Sequence, residues 1–119
     1  MAEHNQLGQR GEQIAAEFLI NKGYRILHRN WFYGKAEVDI IARNEQFLVF
    51  AEVKTRTSTD FGQPEEFVSS SKQRRLQWAA EGYIYHHNYQ GEIRFDILSV
   101  LFDVKGRYTI RHIEDAFWG

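Results

Sequence analysis

Asp39, Glu52 and Lys54 are ionisable residues set within or at the end of two apolar runs, Glu37 to Arg43 and Phe47 to Arg56. Side chains alternate between the faces of a strand. Glu52 and Lys54 therefore point to one side with Arg56 beyond them, and Glu37, Asp39 and Ile41 share a face of the preceding run. Asn44-Glu45-Gln46 between the runs reads as a hairpin connection. Hairpin neighbours lie about 5 Å apart, so Asp39 can stand beside Glu52 and Lys54 if the register cooperates. Two carboxylates and an ammonium at the end of a buried strand are costly unless they pair or bind a cation. Spacing alone leaves both outcomes open: an ion pair in which Lys54 neutralises one carboxylate, or a cation site.

The elements around these residues decide what can reach them. From about Asn5 to Asn21, Leu7, Gly11, Ile14, Ala15, Phe18 and Leu19 recur at helical spacing, and Gly23 follows where a C-terminal cap belongs. Glu12 lies about 20° from Leu19 and 60° from Ala15 around that helix, on the margin of its apolar stripe. From there it can reach over a sheet or remain solvated. "YRILHRNWF" reads as a strand, with a turn near Gly34. Phe47 to Ala51 is apolar on both faces, as a central strand covered on both sides should be. A polar loop spans Thr57 to Glu66, and Ser69-Ser70-Ser71 then offers helix caps.

The second helix carries Leu76, Ala79, Ala80, Tyr83 and Ile84 on one stripe and ends between Asn88 and Gly91. Lys72 lies about 40° from Leu76, at the start of that stripe. There its ammonium can face a bound phosphate or simply solvent. "IRFDILSVLF" and "RYTIRHIE" complete the pattern as strands. The order αβββαββ predicts an α/β domain, a mixed sheet flanked by helices, formed by residues 1–119 as one unit.

With 119 residues and 43% hydrophobic content, the chain can bury a core; about two-thirds of the unfolded surface is lost at this size. The net charge of −1 gives no global pull towards polyanions, so binding of nucleic acid would rest on a local patch or on metal ions. Cysteine is absent, which excludes disulfides and thiolate chemistry. No stretch is long and apolar enough for a bilayer, and the polar "MAEHNQLGQRGEQ" lacks a signal-peptide core. A cytoplasmic protein that does not engage membranes is the expectation.

Asp39, a spacer of twelve residues, then Glu52-Val53-Lys54 at the end of an apolar strand resembles the PD-(D/E)xK nuclease motif. The wider set of "GQRGE", "GYRILHRNW", "AEVDIIAR", "VFAEVKTRT", "FGQPEE", Lys72 and "RFDILSV" is similar to the YraN-like family, related to archaeal Holliday junction resolvases. It runs in order along nearly the whole chain, departing at Ala36, where a glycine is expected. The resemblance implies a restriction-endonuclease-like core and a metal-dependent endonuclease acting on DNA, branched or junction DNA included. It further implies that Asp39 and Glu52 bind Mg²⁺ (or Mn²⁺), with the carbonyl of Val53 as third ligand. Lys54 would orient or activate water, and Glu12 would be a further acidic member. Resolvase-like enzymes act as dimers, which makes a homodimer an expectation too. Two carboxylates and a carbonyl suit a hard cation that keeps several waters, and lysine beside a dication loses proton affinity. A different class of function on the same fold is a non-catalytic module that binds nucleic acid or protein.

Lys72, Arg74 and Arg75, with Arg10, Arg25, Arg29 and Lys35, offer a basic rim for phosphates or a solvated face. Lys72, Arg75 and Arg56 are the candidates for contacting nucleic acid. Trp31, Phe32 and Tyr33, placed in the turn before the Asp39 strand, can stack on unpaired bases or plug the core. The five histidines show no H-x-x-x-H or H-E-x-x-H spacing and read as surface or helix-end residues. No phosphate-binding glycine loop or G-x-S-x-G elbow occurs. Asp96, in "RFDIL", reads either as a partner for a base or as a strand-end charge.

Overall fold

The computed structural model describes residues 2–58 and 68–117, with side chains from residue 6 onward. Helix α1 spans Ala2–Asn21, three residues more than periodicity predicts, because the polar residues ahead of Leu7 carry no apolar marker. Gly23, at φ +97°, ends it in the left-handed conformation that glycine adopts without strain. The Tyr24 N–H reaches the Leu19 carbonyl (3.0 Å) and the Gly23 N–H that of Ile20 (3.0 Å), the paired bonds of a Schellman cap.

Strands β1 (Arg25–Tyr33), β2 (Ala36–Arg43) and β3 (Phe47–Thr57) follow, then helix α2 (Ser70–His87) and strands β4 (Glu92–Phe102) and β5 (Tyr108–Ile113). The sheet order is β1-β2-β3-β4-β5. β3 and β4 pair in parallel and the other neighbours are antiparallel. This is the mixed, helix-flanked sheet that the sequence predicts, and it is compatible with a restriction-endonuclease-like core. Among the described residues no helix is long and apolar enough to cross a membrane.

β3 is central and covered on both faces, which explains its unbroken apolar run. Ala15, Leu19, Ile40, Val49, Ala51 and Leu98 form the core against α1. Leu48, Phe50, Leu76, Ala79, Tyr83 and Phe95 form the core against α2. Asn44 sets the β2–β3 turn: its Oδ1 accepts the N–H groups of Gln46 (2.9 Å) and Phe47 (2.7 Å). Ser69 caps α2 by accepting the Lys72 N–H at 3.1 Å. The "FGQPEE" stretch lies outside the described residues.

Two expectations are corrected in the β1–β2 hairpin. Trp31, Phe32 and Tyr33 are not in a turn but end β1, because Gly34 and Lys35 alone reverse the chain and Tyr33 pairs with Ala36. Gly34 supplies the positive φ (+59°) at the first turn position, as a type II′ turn requires. With the turn made there, Ala36 opens β2 as a buried residue (3% exposed) and no glycine is needed. Trp31 and Tyr33 pack inward against Tyr83 and Trp78, whereas Phe32 is 62% exposed.

Gly11 brings α1 close against β3: an added Cβ there would overlap Thr55 Oγ1. Alanine gains roughly 1 kcal/mol of helix propensity over glycine. The overlap outweighs it, because Thr55 would have to leave its present χ1, which is restricted in a β-branched side chain, and its Cβ and methyl also lie only 3.1 Å from the added carbon. Gly11→Ala is expected to lower stability by about 1–3 kcal/mol, seen as a fall in the denaturant midpoint, with Thr55→Ala restoring part of it.

Candidate functional site

Pairing between β2 and β3 runs from Arg43↔Leu48 to Ile40↔Ala51 and stops there. One more step in that register would set Asp39 opposite Glu52. The strands part at this point, and Asp39 Oδ2 accepts the Val53 N–H at 2.8 Å instead of a ladder bond forming. Glu52 follows Leu48 and Phe50 on the face towards α2 and is only 6% exposed. Its Oε2 lies 3.5 Å from Lys72 Nζ and 4.0 Å from Lys54 Nζ. Its Oε1 is buried without a hydrogen-bond partner.

Glu12 arrives from α1, accepting a hydrogen bond from the Asn30 side chain. Burial raises its pKa above the usual carboxylate value, and Glu37 and Glu52 raise it further. For Asp39 the effect is large. Burial first, then the charge of Glu52, with smaller contributions from Glu12 and Glu37, push its pKa up to about 8 against the pull of the Val53 N–H. Glu12, Glu37, Asp39 and Glu52 therefore lie within electrostatic reach of one another, with Lys54 and Lys72 as the ammonium groups beside Glu52.

The carboxylates of this group raise one another's proton affinity, and one buried oxygen has no partner. A hard divalent cation would answer both conditions. Among the described residues no three Asp, Glu or His side chains are grouped to hold an ion by themselves. Asp39 and Glu52 would thus be joined by a backbone oxygen and by water, a donor set that fits Mg²⁺, which dehydrates reluctantly and keeps several waters.

The basic residues divide. Lys35, Lys72 and Arg75, with Phe32, Glu37 and Leu76, line a cleft of about 460 Å³ beside the carboxylates. Arg75 also donates to Ser71 Oγ (3.0 Å), and Arg56 donates to the Thr55 carbonyl (2.9 Å). Arg29 donates to Gln13 Oε1 at 2.8 Å and acts on Glu12. Arg25 pairs with Arg43, four residues along β2 from Asp39, which is about 13 Å. Arg10 lies over the Phe102 ring and donates to the Gly106 carbonyl. The expected rim thus shrinks to the residues near α2's first turns and the β1–β2 hairpin, with Arg56 on β3 beyond Lys54.

Glu12, Glu37, Asp39, Glu52, Lys54, Lys72 and Arg75 all fall between positions 11 and 100, the span matched by the model of the uncharacterised protein family UPF0102. The chain belongs to that family. A UPF0102 protein of Flavobacterium psychrophilum is 50% identical over 118 residues, covering 99% of this chain and 98% of the relative. UPF0102 proteins of Phocaeicola vulgatus and Bacteroides thetaiotaomicron are each 46% identical over 118 residues, covering 99% of this chain and 97% of theirs.

Sequence reasoning missed two features of this UPF0102 chain. Asn30 takes φ 52° within β1, a left-handed conformation that Asn tolerates better than most residues. Its neighbours Arg29 and Trp31 pair with Ile40 and Val38, so it lies opposite Asp39 while its side chain holds Glu12. An asparagine inside an otherwise strand-like run was the available signal.

The second feature is a buried polar knot. Asp96 is fully buried and accepts two bonds from Arg94 (2.8 Å each), the Asp115 N–H (3.1 Å) and a bond with His112 Nε2 (2.7 Å). His112, with a side chain 3% exposed, is therefore a core residue and not the surface histidine expected. None of these partners belongs to the Asp39 group.

Proposed function

We propose that this UPF0102 protein is a metal-dependent nuclease of the PD-(D/E)xK kind, hydrolysing phosphodiester bonds in DNA at the Asp39–Glu52 pair. The observation that carries the reading is a carboxyl pushed up to about 8 beside a buried carboxylate oxygen with no partner. Lys54 and Lys72 both stand at Glu52 Oε2, so the chain's own ammonium groups leave Oε1 unpartnered and the proton affinity of Asp39 raised. Asp39, Glu52 and the Val53 carbonyl would hold Mg²⁺ or Mn²⁺. When bound, the ion polarises a phosphoryl oxygen and lowers the pKa of a water.

The chain's own residues supply the rest. Lys54 places an ammonium beside Glu52, where it orients the attacking water and offsets charge that builds on the phosphoryl oxygens. Lys72 stands on the other side of Glu52 at the first turn of α2, where it meets a phosphate at the cleft mouth. Glu12, held by Asn30 and with its proton affinity raised, accepts a proton near the water. Arg75 and Arg56 extend positive charge along the backbone path, and a homodimer would set two such sites on paired strands.

The test is a cleavage panel with purified protein on single-stranded, duplex, flap and four-way-junction DNA, each with Mg²⁺, Mn²⁺ or chelator. Cutting that needs the metal is expected on at least one substrate. Absence of cutting on all of them overturns the enzyme reading, and binding without cutting would mark a non-catalytic nucleic-acid module.

A further inference from the structure

Phe32 is a large apolar side chain left in solvent at the end of a strand whose other aromatics are packed. It lines the 460 Å³ cleft with Lys35, Lys72, Arg75, Leu76 and Glu37, so three cations face one carboxylate there while the whole chain carries −1. That volume lies within the usual range for small-ligand pockets, roughly 300–1,000 Å³. The cleft is continuous with the carboxylate site through two residues. Lys72 lies 3.5 Å from Glu52, and Glu37 acts on both Asp39 and Glu12. On its far side Arg75 is shared with a second cleft of about 320 Å³, whose wall includes Arg74 and the half-exposed Trp78.

An aromatic ring among phosphate-binding cations, one step from the reacting carboxylates, fits one chemistry. We propose that this cleft seats an unpaired nucleotide of the DNA substrate, with its base stacked on Phe32 and its flanking phosphates on Arg75 and Lys35. Bases stacked within a duplex cannot offer a face to a side chain, whereas an unpaired base can. The site would therefore select DNA with a single-stranded segment next to the bond that is cut, such as a flap or a strand end. The inference deepens the nuclease reading and rests on it for the position of that bond.

The experiment uses the full chain with Ca²⁺ in place of Mg²⁺ and two labelled probes. These are a flap carrying 2-aminopurine in its single-stranded arm, and a blunt duplex of the same sequence. Phe32→Ala is expected to weaken flap binding by about tenfold, the size of one lost stack, and to abolish the 2-aminopurine quenching. Duplex affinity should stay within about twofold, and Phe32→Trp should restore quenching because any aromatic face suffices. Arg75→Ala is expected to weaken both probes and to reduce the salt slope by about one contact.

Equal losses on flap and duplex, or quenching that survives Phe32→Ala, overturn the subsite even if the parent protein cuts DNA. Selective loss of flap binding in a parent that cuts nothing upholds the subsite and overturns the nuclease reading. A parent that binds neither probe overturns both.

Discussion

Lys54→Ala is expected to lower the single-turnover rate of DNA cleavage by about 10²–10³ while leaving Mn²⁺ affinity intact or slightly raised. The Lys54 ammonium stands 4.0 Å from Glu52 Oε2, close enough to act on charge near the carboxylate but not itself a ligand. Removing it takes a positive charge away from a group already rich in carboxylates, so a dication should be held at least as well. What is lost is a donor aimed at the water and at the phosphoryl oxygens, which matters only as charge develops. Lys54→Arg should recover little, because a planar guanidinium cannot replace a compact ammonium at one point. Rates at saturating Mn²⁺, with calorimetric titration of the same preparations, separate the two effects. If affinity and rate fall together, Lys54 supports the site's structure and not its chemistry.

Asp39→Asn is expected to raise the thermal stability of the metal-free protein and to abolish its response to metal. Asp39 has an ordinary pKa of 3.8 unfolded and about 8 folded, so between those values the folded state binds more protons than the unfolded chain. Stability therefore falls as pH rises from about 4 to about 8, the reverse of a salt-bridged aspartate. Asparagine keeps the shape and can still accept the Val53 N–H, but it carries no charge at any pH. Its advantage should vanish near pH 4 and reach at least about 1 kcal/mol by pH 8, or about 4 °C in Tm for a chain of this size. Saturating Mn²⁺ should reverse the order, since a ligand present at a hundred times its Kd stabilises the parent by about 2.7 kcal/mol and the variant hardly at all. Scanning calorimetry at pH 5 and pH 8, with and without Mn²⁺, reads all four states. A variant less stable than the parent without metal at pH 8 would contradict the account.

The meeting of Asp39 with Glu52 was legible in the sequence because a strand has only two faces and a short turn leaves little freedom of register. Once Asn44-Glu45-Gln46 is read as a hairpin, the register brings Asp39 to Glu52, although strict alternation breaks at Asp39, where Val38 and Ile41 both enter the core against α2. The cover on both sides of β3 was legible for the same reason, as Phe47 to Ala51 leaves no polar face. Glu12 could be placed on the margin of α1's stripe, but nothing in the sequence says that it is held by Asn30. That contact joins residues eighteen apart and depends on a left-handed turn of the backbone inside a strand.

Other features depend on which ends of the strands come together. Arg25 and Arg10 looked equivalent to Lys72 as members of a basic rim, yet β1 carries Arg25 to the far end of the hairpin and α1 turns Arg10 onto Phe102. Asp96 and His112 meet only because β5 pairs with β4, setting His112 opposite Leu98. Periodicity marks the face of a side chain and not its neighbour on the next strand. The Trp31-Phe32-Tyr33 run was misplaced for a local reason: Gly34 needs just one further residue to reverse the chain, so the strand runs on to Tyr33.

The most direct measurement is a time course of cleavage on end-labelled flap and junction DNA by the parent and Asp39→Asn, purified side by side, with Mg²⁺ or chelator. The parent with Mg²⁺ should cut, and the parent with chelator and the variant in either condition should not, because the amide is a poor ligand for a hard cation. Equal cutting by the parent and Asp39→Asn, or cutting that persists in chelator, would contradict a metal-dependent nuclease centred on Asp39 and Glu52.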